Sequence, residues 1–543
     1  MINLFLNNLK QELQNIIKEM GVTEELDIFF DVPKDSSFGD YSTNVAMRLA
    51  KPLRKAPFMI ANEIISKLDK EKNHLSKVEV AGAGFINFFI DLKFLSQIIF
   101  EINEKQENYG NVNFGENKKI NIEYVSANPT GYLHIGHCRG AAYGDSLARI
   151  MKKAGFEVSR EFYVNDAGNQ IKNLGHSIFE RYKELYGLEC NLGEDGYYGK
   201  EIITIAQMIK DEYQDSHLND TDLEFFRDYG TKYLLNGLKN DLKDFNVEFD
   251  TWYSEKSLYK NNAVHETLAF LKEKGCTYEQ DGATWLRTTD YGDEKDRVLV
   301  KSDGSLTYLT PDIAYHANKL SRGFDHLIDV LGADHHGYIS RLKAAIAFVG
   351  GNPDLIDVEI LQMVRVLQDG EEVKMSKRSG KAITMRDLIE EAGTDALRFL
   401  FVSKALSTHM DLDLDLAVRQ SNDNPVFYAQ YAYARISSLF RKCQNYNEVK
   451  EFKCLNLEKT KKMVMSLIQY PNVVKEAAEK RIPHRISQYV LSLAATLHGY
   501  YNDEKILTED QDEMNEKLTL LNAVRIVLKD SLSLLGVGVK EEM

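Results

Sequence analysis

Two histidines, His134 and His137, stand three positions apart where the sequence pattern predicts the start of a helix. Residues at this spacing share one helical face, so two imidazole donors could reach the same phosphate chain. The positive end of the helix dipole favours an anion there, and Gly131 and Gly136 let a ligand approach the backbone closely. An isolated pair of this kind more often caps or packs a helix, so a polyphosphate site needs support from the rest of the chain.

A second candidate is the basic loop with the sequence KMSK at residues 374–377. Such a loop is usually a solvated connector. As a functional element it would close over a polyphosphate, with Lys374 and Lys377 neutralising the charge that builds up on a leaving pyrophosphate. No Ser, Cys or Lys stands in a pattern that would activate it as a covalent nucleophile, so catalysis is expected to rest on positioning and charge.

The elements around these residues predict a doubly wound α/β domain. A buried run at residues 120–125 ends in a loop that leads into the histidine helix, and strands alternate with helices from there to about Arg378. This rhythm is typical of a mostly parallel sheet whose ligands lie beyond the carboxyl ends of its strands. Further strands are predicted at 158–164, 284–286, 298–300 and 327–331, and residues 188–260 are predicted to form a helical insertion.

The flanking regions predict two further units, as expected for a chain of 543 residues, which is too long for a single core. Residues 1–110 have the pattern of a compact α+β unit, with an amphipathic first helix, an extended run at 26–32 and a helix from about Ser42. A hairpin is predicted for residues 78–80 and 85–90. From Gly393 onward the pattern predicts a wholly helical remainder.

The peptides ANPTGYLHIGH at residues 127–137 and KMSK at 374–377 resemble, in this order, the two signatures of class I aminoacyl-tRNA synthetases in their arginyl-tRNA synthetase form. NDAGNQ at 165–170 is similar to that family's wording at the same point. DALR at 395–398 spells the name-giving motif of the helical anticodon-binding domain of arginyl and cysteinyl synthetases. The resemblance implies that arginine attacks the α-phosphorus of ATP, pyrophosphate leaves, and arginine passes to the terminal adenosine of tRNA(Arg).

The resemblance also implies a division of the chain. Residues 1–110 would be an N-terminal domain that binds the outer corner of the tRNA, and residues 111–380 a Rossmann-like catalytic domain with the insertion at about 188–260. Residues 381–420 would be a connecting helical segment, and residues 421–543 an all-α anticodon-binding domain.

Two sets of residues inherit nucleotide and arginine roles from the resemblance. The first set would contact ATP, which is expected as a complex with Mg²⁺: His134, Gly136, His137, Gly332, Asp334, Lys374, Met375, Ser376 and Lys377. A guanidinium is permanently charged and needs carboxylates and other acceptors around it. The second set would therefore hold arginine: Glu123, Asn128, His134, Glu255, Tyr308, Asp312 and Asp334.

Two alternatives concern individual residues of this pocket. Each carboxylate taken alone is more often a surface or capping residue, and Asp312 could simply cap a helix. Asp334, His335 and His336 invite a zinc interpretation, which we disfavour because adjacent strand residues point to opposite faces, so no protein-bound metal is expected. The chain departs from the family at two positions: Tyr132 stands where the family commonly has Pro before the Leu-His of the first motif, and Pro311 stands where it has Arg before Asp312. Neither change removes a polar group assigned to a substrate.

An RNA partner is implied although the formal net charge is −15. Net charge is a weak guide in a large protein, because a local basic face can bind RNA while the remainder stays acidic. Tyrosines and cations that alternate in the C-terminal region suit stacking on unpaired bases. The residues expected to contact tRNA are Phe38, Asp40, Tyr428, Tyr431 and Arg435.

Composition sets the remaining expectations and alternatives. Five scattered cysteines without a C-x-x-C pair indicate a reducing, cytoplasmic setting and no disulfide framework, and no run is long enough to span a bilayer. We expect a monomer. A cysteinyl synthetase is disfavoured because metal ligands for a thiolate pocket are missing. A nucleotidyltransferase without RNA and a non-catalytic RNA-binding relative stay open, although the helical C-terminus and the intact motifs argue against them.

Overall fold

The computed structural model describes residues 2–24, 26–33, 35–373, 375, 382–443 and 445–543. Its N-terminal unit is an α+β unit, as predicted. The elements are α1 (Ile2–Glu19), β1 (Tyr41–Thr43), α2 (Val45–Leu53), α3 (Pro57–Lys67), β2 (Leu75–Ala81), β3 (Phe85–Ile90) and α4 (Leu92–Lys105). The hairpin of β2 and β3 is confirmed, and β1 pairs with the other side of β3.

The start of this unit differs from the sequence prediction in two places. Ser42 lies in β1, and the helix begins only at Val45. The run at residues 26–32 forms no strand and joins the sheet through one bridge between Asp31 and Ser42. β1 is short, and three residues give too little alternation to be recognised as a strand.

A parallel sheet of five strands forms the centre of the molecule, in the order β11-β10-β4-β5-β6. The elements of this region, in chain order, are β4 (Lys119–Glu123), α5 (Ile135–Lys153), β5 (Glu157–Val164), α6 (Gly168–Glu184), α7 (Lys200–Tyr213), α8 (Glu224–Asp244), β6 (Thr251–Ser254), α9 (Glu255–Lys260), α10 (Ala263–Glu273), β7 (Thr277–Gln280), β8 (Ala283–Leu286), β9 (Arg297–Val300), α11 (Leu309–Ser321), β10 (His326–Gly332), α12 (Ile339–Phe348) and β11 (Ile356–Leu361). The chain runs from β4 to β6 on one side and returns to β10 and β11 on the other. The predicted doubly wound sheet is confirmed, and its switch point lies between β4 and β10.

Two predictions within this domain need correction. The stretch 188–260 is helical in α7 and α8, but its end supplies β6, the edge strand of the central sheet. The strands near 284–286 and 298–300 do not continue that sheet, because β7, β8 and β9 form a separate antiparallel sheet. Strands of four residues carry too little periodic signal to show which sheet they join.

The C-terminal unit is a helical bundle, as predicted. The remaining elements are β12 (Val364–Gln368), β13 (Glu371–Glu372), α13 (Met385–Ala392), α14 (Thr394–Val402), β14 (Met410–Asp413), α15 (Leu414–Val418), α16 (Pro425–Lys442), α17 (Leu457–Glu479), α18 (His484–Asp503) and α19 (Gln511–Leu534). The prediction of a wholly helical remainder after Gly393 is wrong at β14, which pairs in parallel with β12. Within the described ranges, no helix is both long and apolar enough to cross a membrane.

Close packing joins these units around the sheet. α4 packs on α17 and α19, so the N-terminal unit and the bundle share one hydrophobic core. A Cβ atom on Gly144 of α5 would lie 2.2 Å from Cγ of Tyr124, the residue that follows β4. The histidine-bearing helix therefore lies directly against the end of the central strand, which fixes where its first turn points.

Candidate active site

The predicted site segments converge at the carboxyl ends of the parallel strands. The histidine peptide follows β4, and the 3-10 helix Ala333–Tyr338 follows the neighbouring strand β10. The segment 165–170 follows β5, and Glu255 follows β6, which pairs with β5 through Val164 and Ser254. The crevice at a switch point is where open α/β sheets bind ligands.

A strained turn leads from β4 into the histidine peptide. Val125 and Ser126 both have positive φ, 72° and 35°, and a β-branched residue rarely adopts this conformation. Hydrogen bonds hold the turn. The Ser126 hydroxyl donates to Glu123 Oε1 at 2.8 Å and accepts the N–H of Tyr163 at 3.1 Å. Ser126 therefore ties β4 to β5 at the point where the chain turns toward Asn128.

His134 and His137 form the cap of α5 and share a single hydrogen-bond arrangement. Nδ1 of His134 accepts the N–H of Gly136 at 3.2 Å, and Nδ1 of His137 accepts the N–H of His134 at 3.1 Å. Burial lowers the pKa of both imidazoles. At His137 the charge interaction with His134 lowers the pKa further, to about 3. A neutral ring that accepts at Nδ1 carries its proton on Nε2. Both histidines can therefore donate from Nε2.

The chain leaving the lysine peptide lies beside the histidine peptide. Thr384 forms a β-bridge with His134, and the N–H of Met385 donates to the carbonyl of Leu133 at 2.7 Å. Met375 is paired with Ala382 in a second bridge. The predicted contacts of Lys374, Ser376 and Lys377 lie outside the described residues.

Arg139 joins the histidine helix to two later segments, one before β12 and one before β14. Its guanidinium is buried and donates to the carbonyls of Gln362 and Ala405, at 2.9 Å each. Gln362 lies between β11 and β12, and Ala405 lies between α14 and β14. Burial lowers the pKa of Arg139 to about 10, so the group stays charged at neutral pH.

Glu123 is the last residue of β4, and its carboxylate already has partners inside the protein. Its Oε1 accepts the Ser126 hydroxyl, and its Oε2 accepts the Tyr315 hydroxyl at 2.9 Å and the ammonium of Lys319. Lys319 also pairs with Asp329 at 2.8 Å. Breaking a buried pair leaves an uncompensated charge, so a substrate would not displace Lys319 without a large cost.

Asp312 is held by two further side chains. The hydroxyl of Tyr338 donates to its Oδ2. Nδ1 of His316 donates to the Asp312 carbonyl at 2.8 Å, while Nε2 faces Asp329 at 3.0 Å. Burial acts to lower the pKa of His316, but Asp312 and Asp329 outweigh it and raise that pKa to about 10. His316 is therefore a cation that fixes the first turn of α11.

Glu255 is the candidate guanidinium acceptor with the strongest electrostatic signature. It is 8 % exposed and makes no hydrogen bond within the described part of the chain. Burial raises its pKa to about 7, and the charges of Asp166 and Asp312 add to the shift. A desolvated carboxylate beside two others is poised to accept a cation.

The other predicted arginine ligands are placed as follows. The amide of Asn128 donates to the side-chain oxygen of Gln170. Tyr308 lies one turn before Asp312 on α11 and is 81 % exposed. The backbone of Gly332 and Asp334 lies at the end of β10, whereas the side chain of Asp334 is outside what the structure describes. No group of three His, Cys, Asp or Glu side chains among the described residues is arranged to hold a metal ion.

Three of the predicted tRNA contacts form a surface on α16. The ring of Tyr431 stacks on His498 with centroids 5.7 Å apart, and the guanidinium of Arg435 lies 5.4 Å from the same tyrosine ring. The ring of Tyr428 also contacts His498, with centroids 4.6 Å apart. These side chains are half-buried and present aromatic edges and a cation together. We call Tyr428, Tyr431 and Arg435 the α16 surface.

The N-terminal pair of predicted tRNA contacts divides into two cases. Phe38 is 52 % exposed. Asp40 is buried, accepts the N–H of Ile90 at 2.8 Å and pairs with Lys461 of α17 at 3.0 Å. Its carboxylate thus joins the N-terminal unit to the bundle, which corrects its assignment as an RNA contact. Lys461 is correspondingly engaged within the protein.

The sequence prediction missed several residues that position the site. His316 and Lys319 follow Asp312 at helical spacing, and polar residues on the buried face of a helix are a signal that could have revealed them. Asp166 and Gln170 stand within the peptide NDAGNQ, which resembles the family but predicts no role for either residue. Arg139 gave no signal of its own.

Comparison with known proteins gives matches along nearly the whole chain. The model of the arginyl-tRNA synthetase N-terminal domain matches residues 7–90, that of the class I (R) tRNA synthetase catalytic domain residues 99–413, and that of the DALR anticodon-binding domain residues 429–543. The arginine–tRNA ligases of Bacillus pumilus and Bacillus subtilis are each 50% identical, over 98% of this chain and 98% of their own length. The structure of arginyl-tRNA synthetase from Thermus thermophilus superposes with a TM-score of 0.74 at 23% identity, covering 99% of this chain and 100% of that chain.

Proposed function

This chain belongs to the arginyl-tRNA synthetases, and from that premise we propose which residues carry out the ligation of arginine to tRNA with ATP. The family membership gives ligation of arginine to tRNA as the reaction and implies ATP as a substrate. The roles of individual residues are our proposal. They follow from the charges and hydrogen bonds at the carboxyl edge of the sheet.

The two histidines bind the phosphates of ATP. Their Nε2–H groups donate to phosphate oxygens, and they do so as neutral rings, because the helix cap occupies Nδ1 of each. The N-terminus of α5 adds its dipole, and Gly136 leaves room for the nucleotide. Gly332 and Asp334, at the end of β10, contact the ribose. The lysine peptide closes over the triphosphate, and the residues with this role are Lys374, Met375, Ser376 and Lys377.

Arginine is held at both ends. Glu255 and Asp312 receive the guanidinium, with Tyr308, the residue just before α11, folding over it. Asn128 and His134 hold the amino and carboxylate groups. The carboxylate then attacks the α-phosphorus and expels pyrophosphate, which leaves arginyl-adenylate. A ribose hydroxyl of the terminal adenosine of tRNA next attacks the carbonyl carbon, and AMP leaves.

Mg²⁺ enters with ATP as part of the substrate, because the charge on the phosphates needs a counter-ion during the displacement. The tRNA contacts the α16 surface with its unpaired bases and Phe38 with its outer corner. The enzyme acts as a monomer, since one chain supplies the histidine peptide, the lysine peptide and the carboxylates. Its five free cysteines fit a cytoplasmic setting.

One observation supports this proposal: the N–H of Met385, eight residues after Lys377 in the sequence, donates to the carbonyl of Leu133 in the histidine peptide. The test is ATP–pyrophosphate exchange with each of the twenty amino acids, with and without tRNA, in the wild type and in Glu255→Gln. We expect exchange with arginine alone, and a strongly increased arginine requirement in the variant. Normal arginine kinetics in Glu255→Gln would refute its role.

A further inference from the structure

The segment that follows β5, residues 165–170, touches both ends of the proposed arginine site. Asp166 lies at its start, and Gln170 lies in the first turn of α6. No step of the reaction described above uses either residue. Their side chains nevertheless contact the two peptides that carry Glu255 and Asn128.

Asp166 fixes the junction of β6 and α9 on both sides of Glu255. Its Oδ2 accepts the hydroxyl of Ser254 at 2.6 Å, and its Oδ1 accepts the N–H of Lys256 at 2.8 Å. Ser254 is the last residue of β6, and Glu255 is the first residue of α9. A carboxylate that accepts from both neighbours leaves Glu255 little freedom of backbone direction.

The charges around Glu255 are all acidic or neutral. Asp166 faces it from the end of β5 and Asp312 from α11, and both raise its pKa. Tyr163 of β5 and Tyr259 of α9 are its other titratable neighbours. Within the described ranges, no cation pairs with Glu255.

The nearest cation in sequence is directed elsewhere. The ammonium of Lys256 pairs with Asp228 and Glu224 of α8, at 2.8 and 3.3 Å. Of the three carboxylates, only Asp312 has a cation beside it among the described residues, His316 at 3.4 Å. Asp166 and Glu255 have none there, and an incoming guanidinium is the group that can supply one.

Gln170 positions Asn128 at the other end of the site, as Asp166 positions Glu255. Its side-chain oxygen accepts the amide N–H of Asn128, the residue that receives the backbone groups of arginine. This bond leaves the carbonyl oxygen of Asn128 free for an ammonium donor. One short segment thus sets the distance between the residues that hold the two ends of the substrate.

We propose that Asp166 is the positioning residue that makes this pocket selective for a cationic side chain, by holding Glu255 through Ser254 and Lys256 and by supplying a fixed negative charge beside it. The inference rests on the proposed role of Glu255. A merely structural helix cap would share the hydrogen bonds of Asp166 but would not require its charge.

The test measures the Kd for arginine by calorimetry with the full-length enzyme, from acidic to alkaline pH, in the wild type and in Asp166→Asn. The variant should bind arginine about tenfold more weakly above neutral pH, the loss expected for one charge-assisted contact. The pH at which binding is half lost should also move downward, because Glu255 loses a negative neighbour. Ser254→Ala keeps the charge and should weaken binding without moving that pH.

Asp228→Asn is the matched control, since it removes an exposed carboxylate from the other side of Lys256 and should change binding by less than about twofold. Weaker binding in Asp166→Asn without the shift in pH would reduce Asp166 to a helix cap and overturn the proposal. Unchanged binding in Asp166→Asn, with Glu255→Gln impaired, would overturn it as well. Unchanged binding in Glu255→Gln would instead remove the proposed role of Glu255 itself.

Discussion

Arg398 and Asp145 form an ion pair in which neither side chain has any solvent exposure. Asp145 lies on the histidine helix α5, and Arg398 is the arginine of the DALR motif on α14. The same guanidinium donates to the carbonyls of Phe245, at 3.1 Å, and of Leu535 after α19, at 2.9 Å. One buried cation therefore connects the catalytic helix with the end of the helical bundle.

Arg398→Ala should destabilise the protein by about 3–5 kcal/mol, because Asp145 stays buried and loses its ion pair with Arg398. The measurement is the thermal midpoint and the denaturant midpoint of the purified variant. Arg419→Ala is the control: its pair with Asp423 is exposed, and its loss should cost less than about 1 kcal/mol. Equal stability of the two variants would contradict the prediction.

Arginine binding should strengthen as the pH rises through 7. Glu255 has a pKa raised to about 7 by burial and by the neighbouring acids, so it is neutral below that pH and charged above it. Below the pKa, the Kd for arginine should increase by up to about tenfold per pH unit, the slope for one proton. Calorimetry across this range provides the measurement.

Two variants test whether the titration of Glu255 causes this pH dependence of arginine binding. In Glu255→Gln, arginine should bind weakly at every pH, with the slope removed. Glu224→Gln, which changes an exposed carboxylate of α8, should keep the wild-type profile. A flat profile in the wild type would mean that Glu255 does not receive the guanidinium.

His137→Ala should slow adenylate formation by about 10²–10³-fold, since one donor to the transition-state charge is lost. The Kd for arginine should change little, because the residue faces the nucleotide. Histidine-selective ¹⁵N spectra should show His137 as the neutral Nε2–H tautomer throughout the neutral range, given its pKa of about 3. His265→Ala, on the exposed side of α10, is the control; a protonated His137 at neutral pH would count against the proposed role.

Tyr431→Ala should weaken tRNA binding by about 1–3 kcal/mol, the contribution of one aromatic stacking contact. Arginine and ATP affinities should stay unchanged, because the α16 surface lies outside the nucleotide site. The measurement is the KM for tRNA in aminoacylation. Tyr433→Phe, a buried neighbour on the same helix, should leave that KM unaltered. Equal effects of the two changes would mean that the bundle, rather than the surface, is responsible.

The fold could be predicted from the sequence wherever elements are long and periodic. β4, β5 and β10 have five, eight and seven residues, and α5 begins at a recognisable cap, so the central sheet could be predicted. β1 and β6 have three and four residues, and their pairing is decided by strands elsewhere in the chain. The local sequence of β1 and β6 therefore does not predict which strands they pair with.

The candidate site divides in the same way. The histidine and lysine peptides carry their chemistry in consecutive residues, so they could be identified directly. The partner of Glu123 is Lys319, and the partner of Asp40 is Lys461. Nothing near either acid in the sequence distinguishes an internal ion pair from a ligand contact, because burial is a property of the assembled fold.

The shape of Arg139, and not only its charge, limits which residues can replace it. A planar fork that reaches two carbonyls sets both a separation and an angle between α5 and the segments that hold Gln362 and Ala405, whereas the rotatable donors of a lysine ammonium impose no such plane. The planar guanidinium of Arg139 thereby sets the distance between α5 and the segment at Gln362, which are more than two hundred residues apart in the chain. An Arg139→Lys substitution would keep the positive charge but would not preserve this spacing.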